Sequence, residues 1–162
     1  MSSLNKAKVI FLVGKVACGK TSYARKMQDD GMGVFLSLDE LQLDIFGSEP
    51  TRQQLDDSYQ GCENYLKRMA LQFLKKGITV YLDWGFWKRS ERQKHRQFFE
   101  SEGFFVEQIY FNIPLNIRLQ RNLSRNSGND IHSFKIEEKD ISLFDGFFEE
   151  PDLTEQYIEI TD

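Results

Sequence analysis

Val9-Ile10-Phe11-Leu12-Val13-Gly14-Lys15-Val16-Ala17-Cys18-Gly19-Lys20-Thr21 runs from an apolar stretch through a glycine-bounded loop into a helix-forming segment. Residues 9–13 are β-branched, aromatic or Leu, the composition of a strand buried on both faces. Residues 14–21 fit G-x-x-x-x-G-K-[ST] in full and stand between strand and helix, where that pattern has physical meaning. Gly14 and Gly19 permit backbone angles denied to other residues, so successive N–H groups can turn inward around phosphate oxygens. The positive end of a helix starting near Lys20 adds to the attraction. A nucleoside triphosphate site is therefore expected. Gly14, Lys15, Val16, Ala17, Cys18, Gly19, Lys20 and Thr21 hold ATP, Lys20 reaches its β- and γ-phosphates, and the Thr21 hydroxyl ligates Mg²⁺.

Working outward, apolar runs at 34–38, 78–82, 104–111 and 157–160 give four more strands, separated by helical stretches. Leu55, Tyr59, Cys62, Leu66, Met69 and Phe73 recur every three or four residues, a single helical stripe over 51–76 that ends at Gly77. Residues 88–101 read as a charged surface helix, and Pro114 opens another that continues to about Arg125. Strands alternating with helices imply parallel crossovers. The expected fold is α/β, a three-layer α/β/α sandwich on a mostly parallel five-stranded sheet. Residues 1–162 are expected to form one domain, with a lid at about 114–135 and a mobile loop at 126–130.

Composition narrows the partners. With 25 acidic against 21 basic residues the net charge is −4, which disfavours an extended nucleic acid and leaves room for a local basic pocket. Cys18 and Cys62 have no metal-ligand spacing and are expected as free thiols, suiting a reducing cytoplasm. No apolar run is long enough to span a membrane. A GTPase would carry Asn-Lys-x-Asp, but the only Asn-Lys is Asn5-Lys6, ahead of the loop. A compact kinase is what remains. The rival reading is an ATP-dependent switch or binding protein with no phosphotransfer to an acceptor.

Several residues are candidates for the chemistry. Asp39 ends the second strand run, where ligands gather in an open α/β sheet, and it can orient an acceptor hydroxyl or cap the following helix. Asp83 ends the third run, in the hydrophobic-strand-then-acid pattern that holds Mg²⁺ or substrate; its alternative is a turn or cap. Trp84 and Trp87 either stack a flat acceptor or pack in the core. Arg118, Arg121 and Arg125 share one helical face, while Leu115, Leu119 and Leu123 share another and are expected to anchor the helix. The arginines then neutralise charge on the transferred phosphoryl group. His95 and His132 are expected to be solvated.

Ser37-Leu38-Asp39-Glu40-Leu41, Leu82-Asp83-Trp84-Gly85-Phe86-Trp87, Arg121-Asn122-Leu123-Ser124-Arg125 and Phe148-Glu149-Glu150-Pro151 follow the loop in order. With that order and spacing the chain resembles the small P-loop kinases grouped with chloramphenicol phosphotransferase, zeta toxins and bacteriophage polynucleotide kinase, and AAA-domain ATP-binding proteins. The resemblance implies a base role for Asp39, and lid arginines four apart that match Arg121 and Arg125. It implies ATP with Mg²⁺, and a small molecule or nucleotide as acceptor. In polynucleotide kinase an arginine three residues after the base aspartate grips the acceptor's phosphate. Gln42 stands there in this chain, which disfavours a polynucleotide.

Overall fold

The computed structural model describes residues 6–128 and 134–162. Five strands, β1 (Lys8–Gly14), β2 (Val34–Ser37), β3 (Val80–Asp83), β4 (Phe105–Phe111) and β5 (Ile158–Ile160), form one parallel sheet in the order β2-β3-β1-β4-β5. Among the described residues six helices connect them: α1 (Lys20–Asp29), α2 (Leu38–Phe46), α3 (Arg52–Lys75), α4 (Arg89–Ser101), α5 (Leu115–Ser127) and α6 (Glu138–Asp145). Alternation along β1 divides the core. Val9, Phe11 and Val13 pack with Leu66 and Ala70 of α3 and Phe99 of α4, whereas Ile10 and Leu12 pack with Ala24 of α1. Helical layers thus cover both faces of the sheet, the α/β sandwich expected. No helix among the described residues is long and apolar enough to cross a membrane.

β1 is central, and the chain leaves it first toward β2 and β3, then crosses to β4 and β5. Binding crevices in such sheets open at the strands' carboxyl ends, where this reversal separates the loops. Register levels those ends here: Gly14 lies beside Phe111, and Ser37 beside Asp83.

Local details differ from the sequence reading where tertiary contacts decide. Leu38 begins α2 instead of ending a strand, and β3 starts at Val80 because the Ile78 N–H returns to the Phe73 carbonyl at the end of α3. The buried face of α3 is Cys62, Glu63, Leu66, Ala70 and Leu74, which leaves Tyr59 37% exposed on the cleft side. α4 is no solvated helix on its inner face: Arg92, His95 and Phe99 are buried there. His95 meets Trp84 and Phe86 edge to face, and its burial, chiefly, lowers its pKa to about 4. Asn126 and Ser127 belong to α5, with Gly128 as its C-cap. Asn129, Asp130 and His132 lie outside the described residues.

Candidate active site

The loop after β1 is built on steric grounds. A Cβ at Gly14 would lie 2.6 Å from Cys18 Sγ and 3.1 Å from the Phe111 carbonyl oxygen. Ala17 (φ 59°) and Gly19 (φ 97°) are both left-handed, the conformation that turns neighbouring N–H groups to one side of a loop. Gly19 is also the N-cap of α1 and supplies no side-chain bond, so the first-turn amides of α1 stay available to an anion. Lys20 Nζ donates to Gly14 O at 3.0 Å and Lys15 O at 3.2 Å, and lies 3.5 Å from Cys18 Sγ. Burial alone would lower its pKa, but Cys18, Asp83 and Asp39 outweigh burial and raise it, so Lys20 remains an ammonium. Thr21 follows on the cleft wall. The Lys15 side chain points away to Glu150, at 3.3 Å, leaving its backbone to the loop.

Acidic groups face this loop. Ser37 Oγ accepts from Glu40 N at 3.2 Å and caps α2. Asp39, one residue into the helix, is therefore not the cap. Its carboxyl is water-accessible at the cleft floor yet surrounded by protein, a combination a concave site produces. Burial, then the Asp83 charge, push its pKa up to about 7 against the opposing pull of Lys20 and Arg125. Asp83 ends β3 and is raised by burial, with Lys20 opposing. It caps no helix either, since the N-cap of α4 is Lys88.

α5 divides its arginines. Arg121 Nη1 donates to Cys18 O at 3.0 Å and lies 3.2 Å from where a Gly19 Cβ would stand, so it rests on the phosphate loop. Arg125 Nη2 donates to Asn122 Oδ1 at 3.1 Å and acts on Asp39. Arg118 corrects the expected three-arginine face. It is 3% exposed, does not line the cleft, and grips Asp145 with two bonds of 3.0 and 2.7 Å. It also donates to Ile113 O at 3.1 Å and to Val16 O at 3.4 Å, bracing the loop from behind. The leucine stripe is inverted with it: Arg118 and Asn122 are the buried residues, while Leu115 and Leu123 are exposed. Neighbouring carbonyls and Asp145 need donors that leucine lacks.

The two tryptophans part ways. Trp84 is 2% exposed and packs on Phe86, Phe99 and His95, so it belongs to the core and not to an open stacking platform. Trp87 lies half-buried on the cleft, edge to face with Phe144 of α6 at 5.7 Å. The cleft itself has a volume of about 1850 Å³ and runs from the phosphate loop past α2 and α3 to α6. Sequence reasoning missed Phe144 and Glu91 on its wall. Neither falls in a motif, and only the packing of α4 and α6 brings them there. No group of three or more His, Cys, Asp or Glu is placed for a metal among the described residues. The oxygens on hand, the Thr21 hydroxyl and the Asp83 carboxyl, suit a hard cation that completes its shell with phosphate and water.

Residues 9–151 match the model of a protein family described as an AAA domain. The chain belongs to the AAA domain family. No curated protein matches this AAA-domain sequence. Among solved structures it is similar to a candidate kinase from Chloroflexus aurantiacus, with TM-score 0.72 and 18% identity over 97% of this chain and 88% of the other. It is similar to the APS kinase CysC of Mycobacterium tuberculosis in complex with AMPPNP and APS, with TM-score 0.62 and 15% identity over 96% and 88% of the two chains. A chain of the Pnkp1/Rnl/Hen1 RNA repair complex matches with TM-score 0.66 and 18% identity, over 87% of this chain and 43% of that one. The AAA domain thus has a kinase-like P-loop fold.

Proposed function

We propose that this AAA-domain protein is an ATP-dependent kinase that moves the γ-phosphoryl group of ATP to a hydroxyl of a small molecule or nucleotide. The observation that carries the reading is Asp39: free of any capping duty, on the cleft floor within electrostatic reach of Lys20, with its pKa at about 7. A base that titrates near the working pH is the efficient kind. The acceptor oxygen bonds to the γ-phosphorus, the bond from that phosphorus to the β,γ-bridging oxygen breaks, ADP departs, and the hydroxyl proton passes to Asp39. Residues 14–21 cradle the phosphates, and Lys20 exchanges its loop carbonyls for β- and γ-oxygens. Arg121 and Arg125, on a lid at 114–135 of a single 1–162 domain, stabilise the charge on the group in transit. Mg²⁺ bound with the nucleotide supplies charge neutralisation at the β- and γ-oxygens, and Thr21 and Asp83 are the residues that fit it. Likeness to a kinase whose structure holds AMPPNP supports an adenine nucleotide on the loop, and two buried free thiols suit a reducing cytoplasm.

Asp39→Asn tests this. Transfer to an identified acceptor is expected to fall about 10²–10⁴-fold, with AMPPNP affinity nearly unchanged. Full turnover by the variant would remove Asp39 from the chemistry.

A further inference from the structure

Asp39 can serve as a base only if the first turn of α2 is held toward the phosphate loop, and one ion pair links those two parts. Ser37-Leu38-Asp39-Glu40 has the S-x-x-E spacing of a capping box, in which the glutamate turns back to the N-cap amide. Half of that box forms: Ser37 Oγ accepts from Glu40 N at 3.2 Å. The Glu40 carboxylate goes instead to Arg25 Nη2 on α1. Arg25 stands one turn after Thr21 on the same helix and, like Thr21 and Asp39, lines the cleft. Its guanidinium lies 6.0 Å from the centre of the Phe35 ring, and Gln28, also on α1, accepts from Phe35 N at 2.9 Å. β2 is thus docked on α1 just before it runs into α2. Among the described residues no other side-chain hydrogen bond joins α1 to α2. On the far side Gln42 Nε2 donates to Leu55 O at 2.9 Å and to Ser58 Oγ at 3.0 Å, fastening α2 to α3.

Consecutive helical residues project about 100° apart. Holding the Glu40 amide with Ser37 and its carboxylate with Arg25 therefore fixes the direction in which Asp39 projects. The Arg25 and Glu40 side chains are 37% and 25% exposed, and a pair so open to water adds little to stability. Its worth is geometric. α1 carries Lys20 and Thr21, α2 carries Asp39, and the pair spans the gap between them. We propose, resting on the kinase reading, that Arg25 and Glu40 are positioning residues: their ion pair locks α2 to α1 and holds Asp39 toward a γ-phosphoryl group on the loop.

Water can stand in for the acceptor in the test. Single-turnover release of γ-phosphate from ATP with Mg²⁺, protein in excess, reads the chemical step, and titration calorimetry with AMPPNP reads nucleotide binding. Arg25→Gln and Glu40→Gln should each slow release about 10–100-fold, the cost of a small misplacement of a reacting group. AMPPNP affinity and melting temperature should stay nearly unchanged. The double variant should be no slower than either single one, because both break the same pair. In an Asp39→Asn background neither substitution should slow release further, since the pair acts through Asp39. Single variants at the unmodified rate, losses that multiply in the double variant, or a further loss in the Asp39→Asn background would overturn the proposal. So would a matching loss of AMPPNP affinity, which would make Arg25 a phosphate ligand. Unmodified protein that fails to bind AMPPNP, or releases phosphate no faster than Asp39→Asn, would instead remove the kinase reading.

Discussion

Replacing Arg118 with Met distinguishes a brace from a phosphate ligand. In the folded protein this guanidinium is 3% exposed and makes two bonds to Asp145 and one each to the Ile113 and Val16 carbonyls. Methionine fills much of the volume but leaves the Asp145 carboxylate without its partner, and breaking a buried pair from one side costs about 3–5 kcal/mol. Domains of this kind are stable by only about 5–15 kcal/mol. At roughly 2–4 °C per kcal/mol for this size, the melting temperature should fall by about 6–20 °C. Arg118→Met with Asp145→Leu removes both charges, so part of that loss should return. Nucleotide affinity separates the two roles. A brace that holds Val16 O weakens AMPPNP binding when it is lost alone and regains part of it in the double variant. A phosphate ligand loses the same affinity in both. Urea melts and titration calorimetry read the two quantities. A single variant costing under about 1 kcal/mol, or a double variant with no recovery of either quantity, would refute the brace.

Two further outcomes follow from the same geometry. Asp39 is raised from 3.8 to about 7, so over that range the folded state holds a proton that the unfolded chain has released. The stability it contributes is complete below about pH 4 and lost as pH rises through 7. Asp39→Asn cannot ionise, so its melting temperature should pull ahead of the unmodified protein across that window and hold its lead above it. A gap that stays constant from pH 4 to 8 would contradict the shift. Gly14→Ala puts a Cβ 2.6 Å from Cys18 Sγ and should abolish AMPPNP binding while the circular dichroism of the helices is retained; near-normal affinity would show that the loop yields there.

The phosphate loop was legible because its constraints are local. The glycines, the lysine and the preceding apolar strand lie within thirteen residues, and their chemistry does not depend on distant chain. The five strands were legible for the same reason. α5 was not, because leucines at every fourth position gave it an apolar face that the neighbours do not use. Asp145, twenty-seven residues on, and the carbonyls of Ile113, Val16 and Ile136 select Arg118 and Asn122 instead. That preference exists only once α6 and the loop stand beside α5. The two tryptophans show the limit at shorter range. Gly85, at φ 68°, turns the chain between them, and nothing in Trp84-Gly85-Phe86-Trp87 says which ring enters the core. Asp39 sits between these cases. Its place at a strand's end was readable, but whether it capped the helix depended on Ser37 taking that bond.

On the kinase reading proposed above, the charges around Lys20 bear on which of the two acids exchanges a proton. Lys20 acts on both carboxyls, and one ammonium cannot fully offset two carboxylates held in a protein-walled cleft. The two acids are not equivalent. Burial and then the Asp83 charge raise Asp39 against Lys20 and Arg125, whereas burial raises Asp83 against Lys20. Asp39, raised to about 7, therefore feels the neighbouring acid as well as its own burial. On the kinase reading, the Asp83 oxygens beside the lysine suit a hard cation. A carboxyl balanced between its two forms suits accepting a proton from an alcohol as the phosphoryl group arrives. On that reading the end of β3 and the first turn of α2, which follows the Ser37 that pairs with Asp83, divide the two duties.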